Sequence, residues 1–143
     1  WHTEEPTSHS GTVRPVAGLG MIFACTGLSK GQLWAIRTGG TNDVTESHVV
    51  WRVTRNVPTR PSLILLNDLL FMVDDGGIAT CLSARTGDEI WRERVGGNFS
   101  ASPIVAGGAA LMVDAATFVA PAVPFTSSEM LDARVMKAVL IRF

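Results

Sequence analysis

Short apolar segments of about five residues, punctuated by Gly, Asn, Asp and Pro, run through most of the chain. That pattern predicts β-strands joined by tight turns. Residues 13–17, 21–25, 32–37 and 48–53 make a first set of such segments, and 62–66, 69–73, 77–82 and 89–95 a second. The turns between them contain Gly18, Gly27, Gly31, Asn67-Asp68, Asp74-Asp75-Gly76-Gly77 and Arg85-Thr86-Gly87-Asp88. Gly, Asn and Asp adopt the positive φ that two-residue hairpins demand, so consecutive strands are expected to pair antiparallel in chain order. Residues 1–11 show neither period 2 nor period 3.6 and read as an irregular lead-in.

The two sets are copies of one unit. Val50-Trp51-Arg52 returns as Ile90-Trp91-Arg92, and the segment 69–74 returns as 109–114, both 40 positions on. Units of roughly 40 residues with about four strands each are the sequence mark of β-propeller blades. The fold expected is therefore all-β, a partial propeller of about three four-stranded antiparallel blades, over 13–143 after a lead-in at 1–12. Blade units fall near 13–60, 61–100 and 101–143, the last degenerate. Gly31 to Gly77 is 46 positions, against 40 from Trp51 to Trp91, so the first unit holds six extra residues in the loop through Gly39 to Glu46. Beyond Val113 the pattern weakens as if a segment had been deleted or truncated. There, 117–121 reads as the inner strand of a third blade, and 130–136 as the approach to a fourth. Because a ring needs roughly four to eight blades, the chain is expected to be a fragment of a larger propeller, or to complete one by assembling copies through open blade edges.

Composition narrows the function classes. A formal net charge of −1, with Lys and Arg dispersed, gives no footprint for nucleic acid. No apolar run approaches the roughly 20 residues of a membrane-spanning helix. Two cysteines, Cys25 and Cys81, define no framework; buried thiols are the simpler expectation, with a bridge depending on geometry that spacing does not give.

The run 78–91, ending Ala84-Arg85-Thr86-Gly87-Asp88-Glu89-Ile90-Trp91, resembles the repeat of PQQ-like (quinoprotein-type) β-propellers. Residues 94–103 look like the start of the next blade in bacterial secreted members, and Leu33 to Arg37 with His48 to Arg52 look like the preceding one. The resemblance implies an extracytoplasmic setting, periplasmic or secreted. It assigns Trp51, Trp91, Gly77, Thr86 and Gly87 to the blade motif. It also raises a dehydrogenase with pyrroloquinoline quinone (PQQ) and calcium, but the vicinal cysteine pair of those enzymes is absent.

Site chemistry is sparse. His2, Glu4, Glu5 and His9 are metal-ligand types at no metal-motif spacing. Asp74-Asp75 lacks the alternating acids of a calcium loop and reads as a hairpin turn. Ser100, Ser102 or Ser127 with His48 would be needed for a hydrolase triad, yet no Gly-x-Ser-x-Gly elbow is present. The expectation is therefore no catalytic residue, no metal and no cofactor, in a scaffold binding a protein or glycan partner. The long loop 38–47, with Asp43 and Glu46, is the candidate rim contact, since long loops on rigid scaffolds carry function.

Overall fold

The computed structural model describes residues 1–4, 12–27, 31–106 and 109–111. Among them stand two four-stranded antiparallel sheets and a hairpin. The first sheet orders β1 (Val16–Gly18), β2 (Met21–Thr26), β3 (Gln32–Arg37) and β4 (Val49–Val53) in sequence. The second orders β5 (Ile64–Leu66), β6 (Leu69–Val73), β7 (Ile78–Ser83) and β8 (Glu89–Arg94) in the same way. The hairpin pairs β9 (Ile104–Ala106) with β10 (Ala109–Leu111). All pairings within these sheets are antiparallel, and the architecture is that of a partial propeller.

Blade 2 is apolar on both faces, which explains why β6, Leu-Leu-Phe-Met-Val, shows no alternation and is buried throughout. Leu70 and Met72 face blade 1, where they join Leu63, Leu82 and Ala84 against Met21, Phe23, Leu33 and Ala35. Leu69, Phe71 and Val73 point the other way, toward Cys81, Trp91 and Phe99. The period of 2 is intact; both phases of it are filled.

Two departures from the sequence reading concern the ends of strands. Residue 48 was expected to open a strand, but Thr45–His48 forms one helical turn and β4 starts at Val49. Val44 anchors that turn: it is 1% exposed, and its carbonyl accepts from the amides of Ser47 and His48. Likewise β1 and β5 begin at Val16 and Ile64, because the preceding residues, Arg14 and Ser62, bond between blades instead of along a sheet.

The hairpin strand β9 lies 40 residues after β5, at the repeat distance. The segments 117–121, 130–136 and 137–143 lie outside the described residues.

Candidate functional site

The junction between blades 1 and 2 is built by Trp51. In β4 the register skips Val50, so that Trp51 pairs with Ala35 and Val49 with Ile36. In β8 it skips Ile90 at the matching place, pairing Trp91 with Cys81 and Glu89 with Leu82. A bulge at this point re-aims the side chain that follows it. Trp51 lies 5.8 Å from Phe23, centroid to centroid, and its Nε1 donates to the carbonyl of Ala84 at 3.1 Å. Its ring covers Gly87, where an added Cβ would lie 2.7 Å away at φ +78°, so only glycine accommodates the indole. Thr86 holds the same turn by donating to Asp88 at 2.7 Å.

Gly77 is bound by a comparable constraint in the β6–β7 turn. With φ at +84°, a Cβ there would come within 2.5 Å of the Gly96 carbonyl oxygen. Asp74 accepts from the amides of Gly76 and Ile78, and from Asn56 Nδ2. Asp75 accepts from the amide and hydroxyl of Thr59 and lies 3.6 Å from Arg60 Nε. Both carboxylates face donors, so the pair works as a turn that ties down the inter-blade linker. Trp91 packs 6.4 Å from Phe71, and its buried Nε1 has no acceptor among the described residues.

Residues 38–48 form the longest connection at this rim. The amide of His2 donates to the Asn42 carbonyl and the amide of Val44 donates to the His2 carbonyl, which lays the lead-in against the loop as a parallel bridge. Glu4 N donates to Thr45 Oγ1 at 2.8 Å. Asp43 Oδ1 accepts from Thr45 Oγ1 at 2.6 Å and Thr45 N at 2.9 Å. The Thr45 hydroxyl first, then its amide, hold the Asp43 carboxyl below the ordinary carboxylate range, with a further lowering from His2. Glu46 is exposed in the first turn of the 45–48 helix.

The lead-in reads as irregular in sequence, without metal-motif spacing; its backbone pairing brings His2, Glu4 and Asp43 together. One ligand atom from each lies within 4.8 Å of the others, and all three residues are exposed. Such a trio can reach one divalent cation, although exposed acidic groups gather in this way without one. Glu5 and His9 lie outside the described residues. Spacing alone hid this cluster, because Asp43 arrives from 41 positions beyond His2 through backbone pairing.

The hydrolase alternative meets different partners. His48 Nδ1 shares a 2.7 Å hydrogen bond with the neighbouring Ser47 hydroxyl, and Ser102 Oγ accepts from the Ser62 amide. Ser127 lies outside the described residues.

The innermost strands of a propeller line its axis. Here β1, β5 and the start of β9 border an open cleft of about 610 Å³, lined by Arg14, Val16, Ile64, Pro103 and Ile104 among others. Among the described residues none of its lining side chains is a carboxylate or an amide, so these residues do not fit the calcium that accompanies a quinone. Cys25 and Cys81 are both free thiols, on β2 and β7, and burial pushes each up to about 12.

Comparison with known proteins places this geometry. The family described as "Outer membrane protein assembly factor BamB", of the PQQ-like repeat type, matches residues 40–123, more than half of the chain. No curated protein matches. Among solved structures, a europium-containing methanol dehydrogenase superposes with a TM-score of 0.52 at 20% identity, over 68% of this chain and 19% of that one. The quinohemoprotein alcohol dehydrogenase ADHIIG of Pseudomonas putida HK5 gives a TM-score of 0.52 at 11% identity, over 74% of this chain and 17% of that one. The chain thus spans about a fifth of the length of either enzyme, and at these identities the likeness is one of fold. By its repeat, its blade sheets and its family match, the chain belongs to the PQQ-like β-propeller repeat family described by the assembly factor BamB.

Proposed function

We propose that the chain is a non-catalytic propeller repeat module that binds a protein or glycan partner through the 38–48 rim loop, within a larger propeller. The asymmetry between the two blades carries this reading. Their turns, bulges and tryptophans coincide, but the connection between β3 and β4 runs over 38–48 where blade 2 uses only 84–88. The extra residues are held by the His2 bridge and the Thr45 bonds, and they present Asp43 and Glu46 to solvent. A rigid scaffold with one enlarged, ordered loop is the usual arrangement for recognition. The family's description as an outer membrane protein assembly factor supports a protein partner and an extracytoplasmic location. No helix among the described residues is long and apolar enough to cross a membrane.

The second reading, part of a PQQ-dependent dehydrogenase, draws on the two structural neighbours. Titration of the purified chain with pyrroloquinoline quinone and Ca²⁺, followed by quinone absorbance and dye-linked alcohol oxidation, separates the two. The scaffold reading expects no saturable, calcium-dependent quinone binding and no dye reduction. Saturable binding accompanied by turnover would replace it with the dehydrogenase.

A further inference from the structure

Between the blades lies a groove of about 270 Å³, distinct from the rim loop and from the axial cleft. From blade 1, Val53, Thr54 and Arg55 line it; blade 2 contributes Thr80, Glu89 and Arg92, with apolar neighbours. Thr80 is 1% exposed, and among the described residues its Oγ1 has no hydrogen-bond partner; nor has the buried Nε of Arg92. The two are directly opposite each other across β7 and β8, so their side chains stand on one face, toward blade 1. An unmet buried donor costs about 1–3 kcal/mol, and both residues line the same groove. Arg92 Nη2 is bonded to Glu89, which fixes the guanidinium while leaving Nε unused.

Blade 1 shows what fills this position in the other copy of the repeat. In blade 1 the equivalent pair is Trp34 and Arg52, also directly opposite across β3 and β4. Trp34 is 4% exposed and Arg52 stacks over its ring at 4.5 Å. Blade 2 keeps the arginine and replaces the indole by threonine. The exchange leaves a space, an arginine without its aromatic partner, and a hydroxyl in place of a ring. Two arginines against one glutamate leave the groove formally positive.

We propose that this groove binds a small oxyanion, a carboxylate or a phosphate, which accepts from Thr80 Oγ1 and Arg92 Nε with Arg55 at the mouth. Charge-assisted bonds to a guanidinium are the strong class of such contacts, and nothing in this reading depends on the rim loop.

The test is a titration of the full chain with inorganic phosphate, and separately with acetate, at constant ionic strength maintained with NaCl. The arginine Nε–H resonances are followed by NMR. A saturable shift of the Arg92 resonance is expected with at least one anion, and the anion that produces it assigns the site to phosphate-type or carboxylate ligands. Thr80→Val, which keeps the shape, should weaken the response at least tenfold, and Arg92→Lys, which keeps the charge, should abolish the thermal stabilisation by the same anion. No saturable shift in the native chain overturns the proposal. A response that is unchanged in Thr80→Val also overturns it and means an adventitious ion only.

Discussion

At the scale of single residues, the inter-blade junction rests on Trp51 and the turn it covers. Trp51→Ala removes a large side chain from a packed junction and should destabilise by about 3–5 kcal/mol. Trp51→Phe keeps much of the ring and loses the bond to the Ala84 carbonyl, for about 1 kcal/mol. Chemical denaturation of both variants checks the ranking, and equal losses would show that the packed ring adds nothing beyond the bond to the Ala84 carbonyl. The cysteines give a second expectation. Burial raises both thiols, so the stabilisation from keeping them neutral is complete below the unfolded value near 9 and declines as pH rises toward 12. Cys81, which is fully buried, should resist a thiol reagent at pH 8 in the native state and react at once in denaturant; rapid native labelling would contradict its burial. Asp43 has the opposite sign. Its lowered carboxyl contributes to loop order above the ordinary carboxylate value, and that contribution fades as pH falls through the lowered one.

Among the elements, much of the blade was legible because hairpin turns and apolar runs are local signals. The strands at 32–37 and 69–73 lie where the pattern indicates, since Gly, Asn and Asp mark their turns. What stayed hidden depends on partners distant in sequence. The Arg14 amide donates to Ser62 Oγ and the Ser62 amide to Ser102 Oγ, both at 3.1 Å, so each blade's inner strand is latched to the next by one serine. The sequence shows serine 40 residues apart, but only the fold shows that its hydroxyl accepts from the preceding blade. Ser62→Ala should cost about 1 kcal/mol by leaving the Arg14 amide without its acceptor. Thermal unfolding measures that loss, and an unchanged midpoint would remove the latch from the account. The helical turn at 45–48 was equally opaque, because it depends on the burial of Val44 and on the His2 bridge.

For the whole molecule, stacked blades behave as a linear array whose stability sums blade and interface terms. The outer edges are β4 and β8, and β8 carries Glu89, Arg92, Glu93 and Arg94, charge of the kind that discourages strand addition. Self-association through these edges should therefore increase as salt screens that charge, at about 1 M against about 0.1 M. Light scattering reads the mass, and a mass independent of salt would assign any assembly to another surface. Recognition through the rim loop is the central claim, and site-specific photo-cross-linking in the cells that make the protein tests it most directly. A cross-linker at Glu46 should give one discrete protein or glycan adduct, weakened by Asp43→Ala, while the same group at Arg94, at the opposite end of the blade, gives none. Adducts from Arg94 and none from Glu46 would contradict the account.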